Sequence, residues 1–503
     1  MVKRSRFRKA LFNISSSIIV QAVGIVIGLI VPRLFIIHLG STINGLISFI
    51  SQFSVYMGII EGGVAAAAGA ELYGPLARNE HEKINQIMTA VKLFYIQTGK
   101  WLQFFFIIFV ILYSLYLTKE LFFIKSLYIC ICYGCIPILG YLFFNKFNMI
   151  FVSDQRHYLT LITSAIMKLF IAFLQVLMLH FNLSVFLIVS VVPICNLIRL
   201  FYLRHIVLTK YKYINYSSPD PDFYSLRQKW NALLINISQL SKSLIPMFVL
   251  TFLFDLKQVS VYAVYAMLFH IGSSILETSN NGLTSTFGNV LHSEKKTIVS
   301  IYDLSETTIF FIVCFLSGCF LILTLPFIKL YVGDQSDVNY LSVPLLISFI
   351  LNEAFINFRF TPKMMLKAVG NLRTARISGL YEVFFCLILT PAICLIWGEK
   401  YILFGSVISS FFATIYWVYF TYKYELKIGL SLIYIKILVN VLFFLIGIYL
   451  IHLFLDRSVY SYLDWLHLAI STCLIMFVTS FLANFPFFLR GISLLKTTRE
   501  ISN

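Results

Sequence analysis

The chain has 503 residues, of which 59% are hydrophobic and only 12% charged, and its formal net charge is +17. A mean hydropathy of +0.87 excludes a soluble globule, in which about a quarter of residues are charged. The positive balance does not point to nucleic acid, because Lys and Arg collect at the ends of apolar runs, where they set orientation and meet anionic lipid.

The chain opens on Lys3, Arg4, Arg6, Arg8 and Lys9 and runs into its first apolar stretch. This start has the look of a signal peptide. The run is long, however, holds Pro32-Arg33 and has no Ala-x-Ala cleavage site, so it reads as an uncleaved first span. Fourteen stretches approach the roughly 20 residues that a helix needs to cross a bilayer. They are 14–37, 45–69, 88–117, 121–144, 158–180 and 183–203, then 232–254, 259–290, 307–331, 341–358, 377–397 and 400–421, and last 433–455 and 462–489. With the start placed in the cytoplasm, the inner connections hold about 26 basic residues and the outer ones about 4, the asymmetry expected of a correctly threaded membrane protein. Both termini are then cytoplasmic. The nine cysteines fall inside apolar runs, so no outer disulfide framework is expected; Cys130, Cys132 and Cys135 read as small core residues rather than metal ligands.

The expected fold class is an all-α integral membrane protein of about fourteen helices, in two six-helix lobes with a pseudo-two-fold relation plus two C-terminal helices. The divisions are an N-terminal lobe 1–210, a cytoplasmic linker 211–231, a C-terminal lobe 232–430, and 431–503 for the last two helices and the tail. Ser217-Ser218-Pro219-Asp220-Pro221-Asp222 in the linker has the composition of a flexible connection. The lobes read as parallel copies offset by about 215 residues. Pro32 falls close to Pro246, Tyr95 meets Phe310, and Glu61 of the second span meets Glu277 of the eighth.

A charge inside a span costs at least a few kcal/mol and usually faces a bundle interior or a wet cavity. Lys92, Lys100, Lys125, Arg199, Lys329 and Lys436 lie near span ends, where a long side chain can snorkel to water. Arg33, Lys168 and Lys242 lie deeper, as do Glu61 and Glu277, with Asn280 and Asn281 one turn beyond the latter. These residues suit either interhelical ion pairs or a cationic cavity for an anionic substrate, with the two glutamates as cation or proton sites. Gly62-Gly63-Val64-Ala65-Ala66-Ala67-Ala68-Gly69 gives the second span a face on which a neighbouring backbone can pack closely or slide.

The first hundred residues also carry a resemblance. Asn13-Ile14-Ser15-Ser16, Leu29-Ile30-Val31-Pro32-Arg33-Leu34, His38-Leu39-Gly40, Asn44-Gly45-Leu46, Gly58-Ile59-Ile60-Glu61-Gly62-Gly63, Leu72-Tyr73-Gly74-Pro75-Leu76-Ala77 and Glu82-Lys83-Ile84-Asn85 follow one another in an order similar to that of bacterial polysaccharide flippases. These belong to the multidrug/oligosaccharidyl-lipid/polysaccharide exporter superfamily. The resemblance implies a V-shaped pair of lobes around a central cavity. It also implies alternating access and transfer of undecaprenyl-diphosphate-linked oligosaccharides to the outer leaflet of the bacterial plasma membrane, for capsule or exopolysaccharide. By position Arg33 and Lys242, with Lys168 as a third, fit the basic residues that receive the diphosphate in such families. Glu61, Glu277, Asn280 and Asn281 are the expected cation or proton site. The first span holds less arginine than lipid II flippases tend to carry.

The resemblance implies a lipid-linked oligosaccharide and membrane lipids as partners, alongside a polysaccharide polymerase and glycosyltransferases, and no nucleic acid. No metal or organic cofactor is expected; coupling to the membrane potential, Na+ or H+ is left open. Gly-x-x-x-x-Gly-Lys-Ser/Thr does not occur, so no nucleotide-driven pump is indicated. The alternatives are a lipid II flippase and a cation-coupled multidrug antiporter of the same superfamily. An enzyme is not expected, since no outer loop is long enough to hold a catalytic constellation.

Overall fold

A computed structural model of the protein describes residues 2–154, 156–226, 244–290, 295–333, 337–368, 372–456 and 458–502. These residues are almost wholly helical, with no strand among them. In lipid every backbone polar group must be satisfied within its own segment, which leaves the helix as the answer for an open chain. Eleven of the helices are long and apolar enough to cross a membrane. The all-α membrane architecture expected from the sequence is the one found.

The first unit contains α1 (Val2–Leu39), α2 (Ser41–Met57), α3 (Ile59–Arg78), α4 (His81–Tyr116), α5 (Phe123–Leu139), α6 (Asn145–Ser153), α7 (Tyr158–His180) and α8 (Val185–Lys210). It continues through the short apolar helix α9 (Leu244–Leu253). The division from the second unit falls at Ser260, one turn into α10 (Leu256–Val290). The second unit holds the rest of α10, α11 (Lys295–Val332), α12 (Val343–Phe358), α13 (Phe360–Ala368), α14 (Leu372–Trp397), α15 (Phe404–Phe420), α16 (Ser431–Phe454) and α17 (Tyr462–Ser502).

Two expected spans differ in detail. The run 45–69 is not a single helix: it is divided between α2 and α3, which meet at Gly58. There the Gly58 amide reaches back to both Ser54 and Val55 carbonyls, tightening the last turn. The run 121–144 continues through a π-helical segment, Gly140–Phe144, into α6. A Cβ at Gly140 would lie 2.8 Å from Asn145 Oδ1, so a larger residue there would displace that side chain. The turn from α1 to α2 likewise uses Gly40, at φ 86°.

The expected flexible link does not hold for residues 211–226, which are strapped along the start of α4. The Asn215 amide donates to Asn85 Oδ1 at 2.8 Å, the Ser218 amide to Thr89 Oγ1 at 3.0 Å, and Lys92 Nζ to the Tyr216 carbonyl at 3.1 Å. Lys83 pairs with Asp222 at 2.8 Å. Tyr211 and Leu226 are buried in the core that Leu72, Met88, Tyr95 and Phe151 form from α3, α4 and α6. Polar composition signalled a loop correctly, but its carbonyls and amides find partners on α4, and the Tyr211 hydroxyl donates to Asp154 just after α6.

Candidate functional site

Of the residues expected to meet a diphosphate, two are described. Arg33 lies half-buried on α1, one residue past Pro32; the helix continues to Leu39, with Val31, Phe35 and Ile36 buried around it. Lys168 is exposed on α7, and Arg199 of α8 lies close enough to repel it. The two cations thus stand near one another on the packed helices α7 and α8. Lys242 lies outside the described residues. Glu61 falls in α3, and Glu277, Asn280 and Asn281 in α10, where only the backbone is described.

Three polar groupings stand out among the described residues of the second unit, two of them buried ion pairs. In the first, Arg359 follows α12 and donates through Nη1 to Glu382 Oε2 of α14 at 2.8 Å. Ser410 of α15 donates to Glu382 Oε1 at 3.0 Å and lies 3.1 Å from Asn352 Oδ1 of α12. Arg359 and Glu382 are 7% and 5% exposed, so neither charge can be left alone without a large desolvation penalty. Gly405 of α15 makes the close approach to α14 feasible, since a Cβ there would lie 2.4 Å from the Thr390 amide nitrogen.

The second grouping surrounds a cavity of about 20 Å³ between α10, α11 and α12, lined by Phe269, Gly272, Ser273, Phe320, Glu353 and Asn357. That volume suffices for a water or a bare ion. Ser273 Oγ donates to Glu353 Oε2 at 2.7 Å, and Asn357 Nδ2 to the Glu353 carbonyl at 2.8 Å. A carboxylate, the hydroxyls of Ser273 and Ser317 and an amide thus line a hollow whose other walls are apolar.

The third overturns the reading of Lys436 as a snorkelling side chain. Lys436 of α16 is 0% exposed. Its Nζ lies 2.7 Å from Asp303 Oδ1 and 2.9 Å from Glu306 Oε2, both on α11. Snorkelling requires a water-facing route, and α11 and α17 both pack on this helix, closing it off. Glu353, Glu382 and the Asp303–Glu306 pair were not singled out in the sequence. The signal that could have found Glu353 and Glu382 is the one that marked Glu61 and Glu277, a carboxylate within an apolar run. No group of His, Cys, Asp and Glu fit to hold a metal occurs among the described residues, Cys130, Cys132 and Cys135 included.

No protein-family model matches the sequence, and comparison with curated proteins finds no match. Solved structures do match. A lipid II flippase, MurJ in an inward closed conformation, superposes with a TM-score of 0.66 at 14% identity, over 93% of this chain and 98% of its own. An inward-facing multidrug-resistance MATE transporter of the MOP superfamily gives 0.61 at 13% identity, over 79% of this chain and 93% of its own. The chain shares the fold of these two transporters. A second MATE transporter, VcmN of Vibrio cholerae, gives 0.55 at 13% identity over 84% of this chain. MurJ thus matches more of this chain than either MATE structure does.

Proposed function

We propose that this protein flips undecaprenyl-diphosphate-linked oligosaccharide repeat units from the inner to the outer leaflet of the bacterial plasma membrane, for capsule or exopolysaccharide assembly. The observation that carries the reading is the match to a lipid II flippase across 93% of the chain. The substrate poses a definite physical problem. A diphosphate with its sugars cannot enter hydrocarbon unless its charges are paired or solvated. Arg33, Lys168 with Arg199, and Lys242 would supply that pairing, while the polyprenyl tail stays in lipid. Both termini lie in the cytoplasm in this reading, and no catalytic step is required.

Moving two negative charges outward against an interior-negative potential gains roughly 4–5 kcal/mol per 100 mV. The potential can therefore drive export, and a proton or Na+ at a buried carboxylate, such as Glu353, Glu61 or Glu277, would return the empty carrier. The test is deletion of the gene, followed by analysis of the lipid-linked intermediates. Oligosaccharide accumulating on undecaprenyl diphosphate inside the cell, restored to the surface by the wild-type gene, supports this function. Accumulated lipid II with intact surface polymer would assign a peptidoglycan role instead, the second reading that the MurJ likeness favours. Altered resistance to cationic drugs with normal glycans would assign the antiporter.

A further inference from the structure

We propose that Asp303, Glu306, Lys436 and Tyr422 form a proton-binding site, holding one exchangeable proton on Asp303. Asp303 and Glu306 stand three residues apart on α11 and so share a face. Lys436 Nζ spends its three hydrogen bonds on that face: Asp303 Oδ1 at 2.7 Å, the Asp303 carbonyl at 3.3 Å and Glu306 Oε2 at 2.9 Å. Tyr422, in the π-helical turn Thr421–Leu426 that follows α15, donates its hydroxyl to the same Glu306 oxygen at 2.7 Å.

Glu306 is therefore the settled counterion of the ammonium. Asp303 is not settled. It is 5% exposed, and its Oδ2 is buried with no hydrogen-bond partner. Two carboxylates against one ammonium leave the buried group with one negative charge too many, and that charge falls on an oxygen with nothing to hold it.

The described side chains around it offer little further compensation. From α11 the neighbouring titratable group is Tyr302, whose ring meets that of Tyr422 edge-on at 5.7 Å. From α16 it is Lys436 itself, and from α17 the Phe487 ring lies 5.9 Å from Nζ. Among the described side chains, Arg490 of α17 is a further cation, acting on Tyr422, and it is exposed, so water screens it. Next along α16 and α17, Asn440 and Asn484 bond to each other through both amides, at 3.2 and 2.8 Å. These neutral groups lock the helices without supplying charge.

A metal cation is a poorer occupant than a proton. The position between the two carboxylates, where Na+ would collect its oxygens, is already filled by Nζ. A proton needs only the one free oxygen. Taking it up from water neutralises the group, and releasing it restores the single excess charge. That this proton serves to reset the carrier rests on the transport function proposed above; the existence of the site does not.

The experiment is infrared difference spectroscopy of the full chain in lipid nanodiscs, stepped between acidic and alkaline buffer, with no substrate present. Wild-type protein should show a protonated-carboxyl C=O band that disappears on the alkaline step. Asp303→Asn and Glu306→Gln each leave one carboxylate facing one ammonium, so both should fold and both should lose that band. Glu382→Gln, which alters the other buried pair, should keep it. A band unchanged in folded Asp303→Asn and Glu306→Gln overturns the proposal, and so does failure of both variants to fold. A transport assay with no flipping would sink the function while leaving this spectroscopic result standing.

Discussion

Asn44 of α2 donates from Nδ2 to Ser260 Oγ of α10 at 2.7 Å, and the two residues stand 216 positions apart. That is the offset at which Glu61 meets Glu277 when the sequence halves are aligned, so equivalent positions of the proposed repeats bond to each other. Next to Asn44, Gly45 faces the first turn of α10 so closely that a Cβ would lie 1.8 Å from the Leu256 carbonyl oxygen. Because this neighbour is backbone, Gly45→Ala must push α2 and α10 apart. The expected cost is about 1–3 kcal/mol, against about 1 kcal/mol for Asn44→Ala, which removes one hydrogen bond. Thermal unfolding in detergent should place Gly45→Ala below Asn44→Ala. The reverse order would mean that this contact is looser than described.

The Arg359–Glu382 pair makes a different prediction. Arg359→Ala strands a buried carboxylate and should destabilise by about 3–5 kcal/mol. The double change Arg359→Met with Glu382→Leu replaces both charges by apolar groups of similar bulk and should recover most of that loss. A double variant as unstable as the single one would show that the pair does more than fill its site.

Two groups outside the spans tie stability to pH. Burial holds the Glu120 carboxyl above its usual range, although it accepts the Leu256 amide at 3.0 Å. Its carboxylate is therefore a liability, absent below the unfolded value of 4.5 and growing as pH rises through the folded value. Glu120→Gln should flatten that part of the stability profile. His157, between α6 and α7, is pushed below its usual 6.5 by burial. Its penalty is absent above 6.5 and grows as pH falls toward the folded value, because the unfolded chain takes up the proton more readily. Equilibrium unfolding of His157→Gln between neutral and mildly acidic pH should lose this slope.

Cys319 of α11 and Cys473 of α17 hold their sulfurs 3.7 Å apart. A disulfide needs about 2.05 Å between sulfurs, a small side-chain movement away. Mild oxidation with copper phenanthroline should therefore cross-link them. A tagged protein cleaved between α11 and α17 should then stay joined until reduced. Cleaved halves that separate without reductant would count against the packing of these two helices.

Arg33→Glu tests the proposed substrate contact directly. At wild-type protein abundance, surface polysaccharide should fall by tenfold or more, as expected when an attractive charge becomes a repulsive one at about 1.4 kcal/mol per decade. Full polymer output from a well-expressed variant would remove Arg33 from the diphosphate site.

The sequence by itself determined the all-α membrane architecture, because a span must carry roughly 20 apolar residues whatever packs beside it. Only the tertiary structure decided which charges meet. Lys436 reads as a snorkelling residue from its place near a span end, and it becomes a buried counterion because α11 brings Asp303 and Glu306 to it from some 130 residues away. The strap at 211–226 reads as loose from its prolines and serines, and it is held because α4 presents Asn85, Thr89 and Lys92 along one face. Hydropathy is a property of each segment. Charge pairing depends on distances between segments, and those exist only once the helices have packed.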